Sequence, residues 1–212
     1  QAFQGLSHGV IQMVSDYNLL KGPDEFDAEF DLVEAMATAS GKALSLTWLQ
    51  RDPGGEQFVR IQERIEQAVA KGLPLFMQTA ARGIGVLNGL DASFHPFMGF
   101  PSYKEVAHLP LAKRAEALRD PSRKARILSE KSERLAGDGS SIPPLVDILL
   151  AKIDMISGRM FPLEATLNYE PSVMESFLVR AKQKGVTPLE VIYDHLSADN
   201  GDGLIYFPIF NY

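Results

Sequence analysis

The sequence predicts an α/β fold built on a parallel sheet, and three observations carry that prediction. Short apolar runs at Gly9–Val14, Lys42–Gln50 and Gly72–Gln78 alternate with stretches of helical period. The alternation repeats at roughly 30 residues, the length of a βαβ unit. Each run also breaks abruptly into polar or glycine-rich residues, as a buried strand does where it leaves the sheet.

In chain order, Gly9–Val14 is β-branched and apolar and opens into the turn cluster Ser15, Asp16, Tyr17 and Asn18. From about Asp27 to Ser40, Phe30, Val33 and Ala37 fall on one helical face, and Gly41 is the stop. The strand Lys42–Gln50 ends in the turn Arg51-Asp52-Pro53-Gly54-Gly55. A second helix follows from about Glu56 to Lys71, with Phe58, Ile61, Ile65 and Val69 on its apolar face. The third strand then delivers Gln78, Thr79 and Arg82 to a loop.

Beyond Gly89 the period is lost. Leu90–Leu109 carries Phe94, Phe97, Phe100 and Tyr103 as an aromatic loop. Asp120-Pro121 has the form of an N-cap and first helical residue, and ARILSEKSERL reads as a largely solvated helix beyond it. Asp138–Pro144 is a break, after which Leu145–Ile156 reads as helix and then a short strand. A helix over Pro171–Lys184 closes at Gly185. Thr187-Pro188-Leu189-Glu190 is a capping box leading a helix to about Ala198. In the last apolar run, Leu204–Phe210, Pro208 predicts an edge or bulged strand. One domain over 1–212 is the simplest organisation, its second half an elaboration on the sheet.

Composition excludes several function classes. The 212 residues are 45% hydrophobic and 23% charged, enough for one sizeable core or two small ones. The net charge of −6 is dispersed, and no basic stripe is available to neutralise a run of phosphates, so nucleic acid is not an expected partner. There are no cysteines, which excludes disulfides and thiolate chemistry and agrees with a reducing, cytoplasmic location. No apolar run is long enough to span a bilayer, so no membrane partner is expected either. The chain starts without methionine and ends directly after an apolar run, the pattern of a segment from a longer protein or of a processed chain.

Among motifs, the four histidines, His8, His95, His108 and His195, never stand two, three or four residues apart, so neither His-x-His nor His-Glu-x-x-His occurs. His195 lies near a helix end, where the dipole favours an imidazolium in a structural role. His95, in SFHPF on the aromatic loop, is the better functional candidate. Gly83-Ile84-Gly85-Val86-Leu87-Asn88-Gly89 departs by one position from a dinucleotide loop and reads instead as a flexible exit loop. No nucleophile elbow exists. If the predicted strands are parallel neighbours, one rim collects Ser15 and Asp16, Trp48 and Gln50, Gln78, Thr79 and Arg82, and Asn211 and Tyr212. Arg82 there suits a carboxylate ligand, or else ties its loop to an acidic neighbour.

The segments GVIQMVSDYN, GKALSLTWLQ, GLPLFMQTAARG, ASFHPFMGFPSYKEVAHLPLAKRAEALRDPSRKARIL and GVTPLEVIYDHLSADNGDGLIYFPIFNY resemble the interior of N-acyl-D-amino-acid deacylases, a branch of the amidohydrolase superfamily. PSYKEVAHLP and YFPIFNY are the most specific parts of the likeness, which runs over essentially the whole chain. The resemblance implies part of a metal-dependent (β/α)8 TIM barrel, with a helical insertion over about 90–170, and hydrolysis of a linear amide by zinc-activated water. It also implies an acyl-amino-acid-like substrate.

The chain departs from that family where its chemistry resides. The family's His-x-His would precede Gln1 and its catalytic aspartate would follow Tyr212. Trp48 stands where a metal histidine is expected, and the region of Phe76–Gln78 again has none. Zinc belongs to the family, but no metal and no catalytic residue are expected in this chain. What carries over is substrate-side: Gln78, Arg82, Trp48, His95, Asp16 and Asn211, with the His95–Tyr103 loop covering the pocket. The expected function is a catalytically silent fragment of an amidohydrolase-like hydrolase, self-associated to cover its strand edges. The competing expectation is a non-catalytic module binding a small carboxylate, with Arg82 as anchor.

Overall fold

The computed structural model describes residues 3, 5–14, 23–51, 55–137, 142, 144–164 and 166–212, with backbone alone for 23–25 and 145. Asp16, and the turn clusters Ser15–Asn18 and Asp138–Ser141, lie outside the described residues. The fold is mixed α/β, as the period predicts, and divides into two compact units. One comprises Gln1–Ile84 with Ile209–Tyr212, the other Gly85–Pro208, where the sequence suggests one domain.

In the first unit the order is β1 (Val10–Met13), α1 (Pro23–Ser40), β2 (Ala43–Thr47), α2 (Gln57–Ala70) and β3 (Leu75–Gln78). The three strands form a parallel sheet in the order β1-β2-β3, so both crossovers step in the same direction. The pairing is in register, Ile11 with Leu44 and Leu44 with Leu75. Because strand side chains alternate, this register sends Ile11, Met13, Leu44, Leu46, Leu75 and Met77 to one face. There they form a core with Phe26, Phe30, Val33 and Ala37 of α1 and Ile61, Ile65 and Ala68 of α2. Both helices therefore cover the same face. Val10 and Phe76 belong to the opposite face and remain 63% and 56% exposed. Arg64 clamps the two helices, its guanidinium 2.9 Å from Asp27 and 2.6 Å from Asp31.

The second unit carries β4 (Ile84–Gly89), of which Ile84 belongs to the first unit by contacts, then α3 (Pro101–Lys104), α4 (Leu111–Leu118), α5 (Pro121–Ser129), α6 (Pro144–Leu150), α7 (Ile153–Ile156), β5 (Phe161–Leu163), α8 (Phe177–Lys184), α9 (Pro188–Ser197) and β6 (Leu204–Phe210). Its sheet has the order β4-β6-β5, with β5 and β6 antiparallel. The predicted caps form: Asp120 accepts from the Arg123 N–H at 2.8 Å, Thr187 accepts from Glu190 N–H at 3.2 Å, and Gly185 closes α8 at φ 68°.

Several expectations are corrected. The first unit has three parallel strands and the second a separate sheet with an antiparallel pair, so the α/β class holds while no barrel closes among the described residues. The glycine-rich segment after Arg82 is the strand β4, not a flexible loop. β6 is the central strand of its sheet in spite of Pro208, because its pairing with β5 covers Leu204–Tyr206 and stops short of the proline. The helix expected from Pro171 begins only at Phe177, where Ser176 accepts from the Val179 N–H. The solvated helix ends at Ser129.

The aromatic segment is structural. Phe97, Phe100 and Tyr103 are buried with Leu118, Phe177, Ile192 and Tyr193 in the core of this unit. Phe97 meets Tyr193 edge-on at 5.1 Å, and the Tyr193 hydroxyl donates to Leu118 O at 2.7 Å. No helix of the described residues is long and apolar enough to cross a membrane.

Candidate functional site

The carboxyl ends of β1, β2 and β3 are the first place where a ligand could gather in such a sheet. On the face free of helices, Gln12 Nε2 donates to Gln78 Oε1 at 2.8 Å. Gln12 lies on β1 and Gln78 on β3, so this carboxamide bridge passes over β2, where Ser45 is buried in register with Gln12. The strand exits are joined as well: the Trp48 N–H donates to Gln78 O at 2.8 Å.

Trp48 itself turns the other way. Its ring packs against the helix-side core and its indole N–H donates to Phe58 O of α2 at 2.8 Å. It is thereby a staple between β2 and α2, and its ring belongs to the face opposite Gln78. Just beyond, Gln50 and Asn211 exchange two hydrogen bonds. Gln50 N–H donates to Asn211 Oδ1 at 2.8 Å, and the Asn211 N–H donates to Gln50 O at 3.0 Å. Asn211 holds φ 58°, a left-handed conformation that asparagine tolerates better than most residues. Arg51 is 6% exposed, and its guanidinium lies over the Phe210 ring at 4.9 Å from its centroid.

Of the predicted site residues, Trp48, Gln78, Arg82 and Asn211 fall in the first unit, with Arg82 exposed in the bend before β4. His95 falls in the second unit and is 3% exposed. Its Nδ1 accepts from the Phe97 N–H at 3.2 Å, which leaves the proton of the neutral ring on Nε2, and its ring stands edge-on to Tyr103 at 4.6 Å. Burial, with the Arg114 charge adding to it, pushes the imidazole pKa down to about 3. Burial lowers the His195 pKa as well, against the hydrogen bond of Nε2 with Leu204 O at 2.8 Å, which raises it. That direction runs against the imidazolium expected at the helix end.

Two residues escaped the sequence reading, Gln12 and Arg51. Gln12 was legible only as the polar position in an alternating run, and its pairing with Gln78 needs the register of all three strands. Arg51 precedes Asp52-Pro53-Gly54, which the sequence reads as a turn and which lies outside the described residues, and solvent exposure is the ordinary expectation for an arginine there.

The rim is a hydrogen-bonding surface of carboxamides and one exposed guanidinium. Among the described residues the rim offers no set of zinc ligands: an indole N–H has no lone pair to give, and a neutral carboxamide oxygen is not among the usual zinc donors. Among the described residues no three His, Asp or Glu side chains cluster in a way that could hold a metal. Comparison of the chain with protein-family models, with curated proteins and with solved structures finds no match.

Proposed function

We propose that this chain supplies the substrate-side part of an amidohydrolase-like (β/α) barrel hydrolase, similar to N-acyl-D-amino-acid deacylases, and that alone it hydrolyses nothing. The observation that carries the reading is the winding of the first unit. Strands in the order β1-β2-β3 with both helices on one face are what an arc of such a barrel has, a pattern shared with one half of a doubly wound sheet and consistent with the resemblance. In this reading the helix-free face with Gln12, Ser45 and Gln78 is the barrel interior. The edges of β1 and β3 are where further strands would pair, and self-association through them is the expected state of the chain. A single monomeric species in sedimentation at micromolar concentration would count against that last point.

The substrate in this reading is an N-acyl amino acid. Its amide would meet the Gln78 carboxamide at the strand ends, and its carboxylate the Arg82 fork. N-acetyl-D-leucine titrated into the chain is expected to bind, read by isothermal titration calorimetry. Both Gln78→Leu and Arg82→Ala should weaken binding about tenfold, the loss of one charged or well-aligned hydrogen-bonding interaction. Deacylation of this probe by the chain with added zinc would overturn the catalytic silence. Binding unchanged in both variants, or absent in the wild type, would overturn the substrate-side role.

A further inference from the structure

The second unit carries a half-open cavity of about 530 Å³ remote in sequence from the β1-β2-β3 rim, and its chemistry differs from that of the rim. The size is that of a small-molecule site. Its walls are apolar: Pro96 and Phe100 from the aromatic segment, Leu150 and Ile153 from α6 and α7, and Leu189 from α9. A stretch of chain without regular secondary structure, from Lys131 onward, supplies the polar margin.

The charges on that margin are unequally committed. Asp147 accepts from the backbone N–H groups of Leu135 at 2.8 Å and Ala136 at 3.0 Å, which hold its carboxyl below the ordinary carboxylate range. Arg134 stands 3.8 Å from the same carboxylate, and Glu133 is paired with Lys104. Lys131 remains, with neither ion pair nor hydrogen bond to any described residue. A lysine left over beside an apolar cavity, after its acidic neighbours are engaged elsewhere, leaves the site in want of one negative charge next to a hydrophobic body.

We propose that this cavity binds a small amphipathic carboxylate, with its aliphatic or aryl part against Phe100, Leu150 and Ile153 and its carboxylate on the Lys131 ammonium. The site is independent of the rim around Gln78 and of the function proposed for it. A carboxylate on an exposed ammonium contributes modestly, and burial of the apolar part contributes the rest.

The test is isothermal titration of the full chain with sodium octanoate and with octanamide, its uncharged analogue. Octanoate should bind one to one, and Lys131→Gln should weaken it about fivefold to tenfold while leaving octanamide unchanged. Ala151→Trp, which places a bulky ring in the cavity from an exposed position on its wall, should remove binding of both. Circular dichroism on the same samples reports whether each variant is folded. Absence of octanoate binding, equal affinity in Lys131→Gln, or unimpaired binding in folded Ala151→Trp would each overturn the proposal. Lys131→Gln changes only an exposed side chain, so its result decides the charge assignment even if the tryptophan variant does not fold.

Discussion

The ring of Tyr206 lies against Gly85 where a side chain would otherwise stand. A Cβ built on Gly85 would overlap the ring and come within 2.9 Å of Phe207 O. Gly85 does not have a positive φ, so the requirement is purely one of space. β4 can sit beside β6 only because this position has no Cβ. Gly85→Ala is therefore expected to destabilise the second unit by about 2–3 kcal/mol, the upper range for overpacking. Thermal unfolding should register a fall of about 4–12 °C. The loss should be smaller, but not zero, in a Tyr206→Ala background, because the carbonyl of Phe207 still obstructs.

The same pair explains which parts of the fold were legible in the sequence. Helix α2 was, because Ile61 and Ile65 recur at helical spacing and are buried, although Val69, read onto the same face, is 50% exposed and Ala68 is buried in its place. The caps at Asp120 and Thr187 were, because their chemistry is local. β4 was not: Gly83 and Gly85 carry low strand propensity, and the reason for glycine is a ring contributed by β6, more than a hundred residues away in sequence. The central place of β6 was hidden for a related reason, since Pro208 disqualifies a strand only where its missing N–H is needed. At the candidate site, the rim residues could be named from strand ends. Which face each occupies depends on register, and register parts Trp48 from Gln78.

His95 makes stability depend on pH in one direction. Its folded pKa is depressed to about 3 from 6.5. In that interval the unfolded chain binds the proton and the folded chain does not, so acid favours unfolding. Stability is full above the unfolded value and declines as pH falls below about 6.5, with a limiting slope of about 1.4 kcal/mol per pH unit from this one group. His195, lowered by burial as well, acts in the same direction. Denaturant unfolding between pH 7 and 5, above the range where most carboxylates titrate, should show the decline. His95→Asn keeps an acceptor in reach of the Phe97 N–H and should flatten the slope; an unchanged slope would remove His95 as its source.

In the first unit, Arg64 joins α2 to α1 by more than charge. Its fork reaches Asp27, Asp31 and Glu34, and its guanidinium lies over the Phe30 ring at 4.7 Å. Asp31 is exposed, so that pair alone contributes little. The stacking and the partly buried pairs give the residue its weight, and Arg64→Ala should cost about 1–2 kcal/mol. Arg64→Lys should recover less than half, because an ammonium can neither span three carboxylates nor stack flat on a ring. Equal stability of the lysine variant and the wild type in urea unfolding would show that charge alone is at work.

Asn211 combines two requirements that substitution can separate. Its φ of 58° strains any residue with a β-carbon, and its Oδ1 receives the Gln50 N–H. Asn211→Gly relieves the conformational demand and loses the side-chain acceptor, at about 0.5–1.5 kcal/mol. Asn211→Ala loses the acceptor and adds the left-handed penalty of about 1 kcal/mol. Asn211→Asp keeps both an acceptor and tolerance of the conformation. The expected order of stability is therefore wild type and Asp above Gly, and Gly above Ala. Since Gln50 follows β2 closely, the same order should appear in hydrogen exchange of the Gln50 amide, which loses its side-chain acceptor in the glycine and alanine variants and keeps it in the aspartate variant. If alanine matches glycine in stability, the left-handed backbone is not what asparagine is there to supply.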